Sequence, residues 1–309
     1  MCSINRSKSW LFWGIVLSLI IITISCAEKK PFVWGSAETG YILSYRPKVG
    51  DVFVYKRTME GSGTYERMGQ TFESTSSRKF MFQLETEKVQ DTLNTFILTV
   101  DTIGFFIESV RGKQEMDYGD IKGKRVRVTI TPKGEKREIT LIDSLQTPEM
   151  DGRPMPGDPK DQLIVGFFET PDKSIKIGDS WTETKLDTST RSDTTMQIDQ
   201  THITDREIKY MVLGEEKKMG LDCLHIRSDS KYATQSWGTI RGSEMNSEGE
   251  GESSSHIWFA YKEGILVEFT VDNFYEGTQA FSGQMSGTSA SSNESKSSLK
   301  LLKWIPRKK

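Results

Sequence analysis

The sequence predicts a mainly β protein: a long antiparallel curved sheet or open barrel built from a duplicated unit, with one short amphipathic helix. Three observations predict it. Apolar and polar residues alternate with period two through most of the chain, as a sheet with one dry face requires. The alternating runs are joined by short stretches rich in turn residues, and neighbours joined so closely pair antiparallel, because a parallel pair needs a long crossover. Finally, nearly the same six residues open two β-rich stretches, Lys48-Val49-Gly50-Asp51-Val52-Phe53 and Lys176-Ile177-Gly178-Asp179-Ser180-Trp181.

Residues 1–25 read as a signal peptide. Arg6 and Lys8 precede an apolar run from Trp10 to Ile24, which ends at Ser25 and Cys26. That run falls short of the roughly twenty residues a membrane-spanning helix needs. Thr23-Ile24-Ser25-Cys26 resembles the cleavage box of bacterial lipoproteins, although that family prefers Leu where Thr23 stands. The resemblance implies fatty acylation of Cys26, palmitate included, and a membrane anchor through its acyl chains. It also implies a place in the bacterial cell envelope, at the outer membrane facing the periplasm. A plain secretory signal or an uncleaved anchor is the alternative. Residues 26–40 then form a lipid-anchored tether with no periodicity.

The first β-rich repeat, 41–149, holds Phe80, Phe82 and Leu84, then Phe96, Leu98 and Val100, as two strands joined through 91–94. Val126, Val128 and Ile130 lead through Pro132-Lys133-Gly134 to Ile139 and Leu141, a β-hairpin. Residues 150–174 form a Pro/Gly-rich linker and the short helix. Asp158 suits its N-cap, Pro159 its first position and Pro171 its end, while Leu163, Ile164, Phe167 and Phe168 share one face. Such a helix either covers an open end of the core or gates a cavity, with Phe167 and Phe168 as the candidate gate. The second repeat, 175–309, has the cleanest alternation, Ile265, Val267, Phe269 and Val271 against Leu266, Glu268, Thr270 and Asp272, and Phe269 is expected to be buried. Three runs, 74–82, 248–259 and 282–302, begin polar and end apolar. Either they are long hairpins with wet tips or the Ser/Gly/Glu stretches are flexible loops, and for 282–298 both readings stand.

Composition sets limits on function. The 309 residues carry a net charge of −2, which becomes −4 once Arg6 and Lys8 leave with the signal. No basic block points to nucleic acid. Apart from Cys2 in the signal and Cys26, only Cys223 remains, so no disulfide framework exists if Cys26 is acylated; if it is not, a Cys26–Cys223 bridge is the alternative. His202, His225 and His256 form no metal motif, although Cys223 and His225 share a strand face. Asp222, His225 and Ser228 assemble no recognisable triad, and there is no nucleophile elbow or phosphate loop. Glu215-Glu216 beside Lys217-Lys218 reads as a solvated turn, and Asp151, Asp158 and Asp161 match no EF-hand spacing. No catalytic residue, cofactor or metal is predicted.

Signal, duplicated openings and long antiparallel strands together resemble an uncharacterised group of bacterial lipoproteins with a repeated β-rich unit. More distantly they are similar to periplasmic half-barrel carriers that hold acyl chains on a concave sheet. That resemblance implies a lipid-anchored binding protein with a hydrophobic ligand in an apolar groove. The alternative is a non-catalytic structural or interaction subunit of an envelope assembly, in which the apolar faces are packed and the polar tips meet a protein partner. An empty apolar interior would favour the first and a filled one the second.

Overall fold

The computed structural model describes residues 34–110, 112–150, 152–154, 160, 163, 166–193, 197–240, 242–283 and 286–307. Cys26 and the signal segment lie outside the described residues. Gly35–Lys309 forms one compact unit. In chain order its strands are β1 (Gly35–Ser36), β2 (Gly40–Tyr41), β3 (Val52–Arg67), β4 (Gln70–Val89), β5 (Asn94–Ser109), β6 (Gly112–Asp117), β7 (Arg125–Ile130), β8 (Lys136–Leu141), β9 (Glu149–Met150) and β10 (Arg153–Pro154). Then come β11 (Ser180–Asp193), β12 (Ile198–Lys218), β13 (Leu221–Ile240), β14 (Ser243–Ala260), β15 (Ile265–Ser282) and β16 (Gly287–Ile305).

Fourteen strands join in one curved antiparallel sheet, in the order β10-β9-β6-β5-β4-β3-β16-β15-β14-β13-β12-β11, with β7 beside β5 and β8 beside β7. The last strand thus pairs with β3, and β11 ends the sheet. Several strands run 16 to 21 residues, well beyond the usual five or six. Their length follows from the polar-to-apolar runs. Each run forms one continuous strand, 282–298 included from Gly287 onward, so the loop reading is excluded there. Tight turns allow this length: Met68-Gly69 joins β3 to β4 and Met219-Gly220 joins β12 to β13, all four residues at positive φ as two-residue hairpin loops require.

At one end the apolar positions meet. Phe80, Phe82, Leu84, Phe96, Leu98, Val100, Leu224, Ile226, Ile257 and Phe259 are all buried, and the β7–β8 hairpin pairs Val126 with Leu141 and Val128 with Ile139 as the sequence predicts. Phe269 is a correction, since it is only half-buried. A β-bulge precedes it, with Trp258 opposite Glu268 and Phe259 opposite Leu266, and Phe269 shares the face of buried Ile257 and Leu299; it lies where that face passes into the polar half, next to Val271 opposite Ser255 and Ser297.

The duplication is visible atom by atom. In the first turn the Asp51 N–H donates to the Lys48 carbonyl (2.9 Å) and the Lys48 N–H to Asp51 Oδ2 (3.0 Å). In the second, the Asp179 N–H donates to the Lys176 carbonyl (3.0 Å) and the Lys176 N–H to Asp179 Oδ2 (2.8 Å). Gly50 and Gly178 have φ of 85° and 88°, the left-handed conformation that favours glycine. Next, the Thr86 N–H meets the Asp51 carbonyl and the Val212 N–H meets the Asp179 carbonyl, at 2.9 and 3.0 Å. A register shift follows each partner, between Thr86 and Lys88 and between Val212 and Gly214. Phe53 opposite Leu84 therefore corresponds to Trp181 opposite Tyr210.

Candidate functional surface

The space that an apolar groove would need is filled from within. The segment 41–46 crosses the apolar end of the sheet beside 166–175, tied by a backbone bridge between Tyr41 and Ile175. Tyr45 packs edge-on against Phe259 (5.1 Å) and Phe167 (5.6 Å), and Phe168 lies against Tyr210 and Phe259 at 6.0 and 6.3 Å. Buried polar atoms here are bonded. The Tyr45 hydroxyl accepts the Phe168 N–H (3.0 Å), Asn94 Nδ2 donates to the Tyr45 carbonyl (3.1 Å) and Thr170 Oγ1 to that of Leu43 (3.1 Å). Burial holds the Tyr45 phenol well above the usual range.

Phe168 is buried and Phe167 half-buried, and 166–170 is irregular chain, not helix. The rest of the expected helix, Asp158 and Pro159 included, lies largely outside the described residues. The two candidate gate residues, Phe167 and Phe168, thus pack their rings against Tyr45, Tyr210 and Phe259 at the apolar end.

The far halves of the long strands are polar on both faces. On one, Glu248, Glu250 and Glu252 of β14 lie beside Glu276 of β15, Glu294 of β16 and Glu66 of β3. Hollows follow one another along this face. One of about 640 Å³ is lined by Glu66, Glu248, Glu250 and Glu276 with Thr64, Thr278, Ala233 and Ala290. A second, of about 880 Å³, extends toward Met68, Gln235 and Trp237. A third, of about 490 Å³, mixes Lys209, Arg227, Lys231 and Lys296 with Glu207, Asp229 and Asp272.

The Glu-Gly-Glu-Gly-Glu run of 248–252 is a two-sided strand. Its carboxylates face the hollows while its glycines lie under tyrosines on the other side. A Cβ at Gly249 would come within 2.3 Å of Tyr275 Oη and one at Gly251 within 2.4 Å of the Tyr232 ring, so no larger residue fits beneath those rings. Tyr232 and Tyr275 stack at 6.3 Å, and the Tyr232 hydroxyl donates to Asn273 Oδ1 (3.0 Å). This alternation was readable in the sequence as period two with glycine on one face.

Sequence reasoning also missed a hydrogen-bonded chain of histidines. The ring atoms His225 Nε2 and His256 Nδ1 lie 2.8 Å apart, and His225 Nδ1 lies 2.6 Å from Glu216 Oε1. Trp258 Nε1–H donates to Glu216 Oε2 (2.8 Å), which with His225 holds that carboxyl below the usual glutamate range. Lys218 Nζ sits 4.0 Å over the Trp258 ring. Only the register of β13 against β14, His225 opposite Trp258, brings these residues together. Glu215 and Glu216 are exposed, as expected, but lie in β12 and not in a turn, and both are bonded: the Tyr261 hydroxyl donates to Glu215 Oε1 at 3.2 Å.

The other sequence candidates stay apart. Ser228 is on the opposite strand face from His225, and Asp222 is held by Lys262 (2.6 Å), so Asp222, His225 and Ser228 form no relay. His202 bonds Ser236 (2.6 Å) far along β12. Cys223 is a buried free thiol that donates to the Leu221 carbonyl, and burial pushes it up to about 12. Among the described residues no three of His, Cys, Asp and Glu are arranged to hold a metal, and no helix is long and apolar enough to cross a membrane. Asp151, Asp158 and Asp161 lie outside the described residues.

No protein-family profile matches the chain, and no curated protein matches it. Among solved structures it is similar to Pseudomonas aeruginosa OccK2 in complex with glucuronate (6% identity, TM-score 0.25, 82% of this chain and 98% of that one). It is also similar to an outer membrane channel from Pseudomonas putida F1 (7%, 0.26, 84% and 98%). At these TM-scores the likeness carries no weight for fold or function.

Proposed function

We propose that this chain is a non-catalytic interaction protein of the bacterial cell envelope, anchored through Cys26, whose working surface is the hollowed polar face of the long strands. The observation that carries this reading is the filled apolar end. Tyr45, Phe167 and Phe168 pack into the apolar end, and the hollow at Glu66, Glu248, Glu250 and Glu276 is lined by carboxylates, hydroxyls and small side chains. A carrier of a hydrophobic ligand, the more specific expectation from sequence, needs an unfilled apolar space. The row of Glu66, Glu248, Glu250 and Glu276 suits a polar or cationic partner surface.

Full-length protein purified from membranes tests both. Labelled fatty acid should enter the wild type and not Cys26→Ser, and extraction should release no further lipid in stoichiometric amount. In-cell crosslinking should yield a defined partner that Glu248→Lys/Glu250→Lys loses and Phe167→Ser/Phe168→Ser keeps. Stoichiometric extractable lipid that is lost in Phe167→Ser/Phe168→Ser would establish the carrier instead.

A further inference from the structure

The duplication makes β3 and β11 equivalent strands, and it exposes one difference between them. β3 is paired on both sides, to β4 and to β16. β11 is paired to β12 only, so the edge that corresponds to the β16 side of β3 has no partner among the described residues. This edge is fourteen residues long and contains no proline and no glycine. Neither a short edge, a proline nor a bulge protects it; its charged residues include Glu183, Lys185, Asp187 and Arg191, with Lys185 also bonded to Glu169 (2.7 Å) of the same chain. Its aliphatic side chain, Leu186, is 70% exposed.

The sequence of β11 is partly symmetric about Leu186, with the same residue at three of the six mirrored positions: Ser180-Trp181-Thr182-Glu183-Thr184-Lys185, then Asp187-Thr188-Ser189-Thr190-Arg191-Ser192. Two copies of one strand that pair antiparallel are related by a two-fold axis perpendicular to the sheet. The axis must pass between a residue and its own symmetry mate, because opposed side chains share a face. With the axis at Leu186, leucine meets leucine, Lys185 meets Asp187, Thr184 meets Thr188, Thr182 meets Thr190 and Trp181 meets Arg191. These pairs are favourable cross-strand types, apolar, hydroxyl, opposite charge or cation on aromatic, and of the rest Ser180 meets Ser192 and Glu183 meets Ser189 without opposing like charges. One step away the matching fails: an axis at Lys185 sets lysine against lysine and Glu183 against Asp187, and an axis at Asp187 sets aspartate against aspartate.

We propose that a second copy of this chain docks on the free edge of β11, antiparallel and two-fold symmetric about Leu186, so that two sheets become one. The edge supplies the backbone donors and acceptors, and the pairing of Leu186 with itself, Lys185 with Asp187 and threonine with threonine fixes the register. This interface is independent of the acidic hollows and adds a homodimer to the interaction protein proposed above.

The full chain carries the test. Wild type should be a dimer by light scattering at micromolar concentration, and Leu186→Asp, which puts two carboxylates on the axis, should weaken it by about tenfold or more. Because Leu186 is exposed, that variant should keep the wild-type circular dichroism. Leu186→Cys should form an interchain disulfide beyond the wild-type background from its own cysteines. Thr182→Cys alone should not, whereas a mixture of Thr182→Cys and Thr190→Cys should. A monomeric wild type, or Leu186→Cys no more crosslinked than wild type, overturns the proposal. So does self-crosslinking of Thr182→Cys alone, which would mean another register or a head-to-tail contact.

Discussion

Asp51 and Asp179 stand at the same point of the same turn, yet Asp51 is 2% exposed and Asp179 faces solvent. The backbone bonds of the two turns match within about 0.2 Å. What differs is the neighbour. At the first turn the chain's end returns beside β3, and Arg307 donates its N–H to Asp51 Oδ1 (3.0 Å). At the second turn β11 ends the sheet. Identical local chemistry therefore carries different energetic weight, because hydrogen bonds and apolar contacts count by how much water they exclude.

The comparison breaks first, if it breaks, at the aromatic that follows each turn. Phe53 is buried and stacks on Trp304 at 6.4 Å, while its counterpart Trp181 stacks on Tyr210 at 4.7 Å and stays half-exposed. Phe53→Ala should cost about 3 to 5 kcal/mol in urea unfolding and Trp181→Ala about half of that. Equal losses would mean that the edge position is as well covered as the interior one.

The carboxylates sharpen it. Asp51→Ala leaves two amides without an acceptor in a buried place and should cost about 2 to 4 kcal/mol, against about 1 kcal/mol for Asp179→Ala, both read from the denaturant midpoint. A smaller gap separates the glycines. Both have positive φ, so each change to Ala should cost about 1 kcal/mol in thermal unfolding. Gly50→Ala should cost more, since its Cβ would lie 2.9 Å from Arg307 Cδ, whereas Gly178 has open space around it.

The smallest effect concerns acid. Burial raises the Glu268 carboxyl, but hydrogen bonds from Lys300 (2.8 Å) and Lys218 (3.0 Å) outweigh it and hold the group below the usual glutamate range. A carboxyl lowered in the folded state stabilises that state above its ordinary value and loses the contribution as pH falls through the lowered one. The stability gap between wild type and Glu268→Gln should therefore be full at neutral pH and shrink as pH drops below about 4.5. A gap independent of pH would assign the effect to packing.

Much of the fold was legible because period-two patterning and turn chemistry are local. Phe80 to Leu84, Phe96 to Val100 and the hairpin of Val126 to Leu141 lie where alternation puts them, and the repeated Lys-x-Gly-Asp turn carries its own hydrogen bonds. The candidate site was not legible in the same way. His225 and His256 are thirty-one residues apart, and only the β13–β14 register joins them. Phe269, opposite buried Ile257 and Leu299, is only half-buried because the apolar end gives way to the polar halves beside it, which alternation alone does not show. Phe167 and Phe168 were rightly apolar, but the same apolarity serves a gate or a plug.

The sequence by itself determined a β-rich chain of antiparallel strands, a repeated Lys-x-Gly-Asp turn and runs such as 248–259 that begin polar and end apolar. Each of these depends on residues a few positions apart. Tertiary structure alone decided that β16 covers β3 and leaves β11 at the edge, that the apolar end is filled by 41–46 and 166–175, and that the carboxylates of three strands, Glu66, Glu248, Glu250 and Glu276, line a common hollow. These depend on strand order and register, which bring residues together across long stretches of chain, and no local pattern encodes which edge another strand will reach.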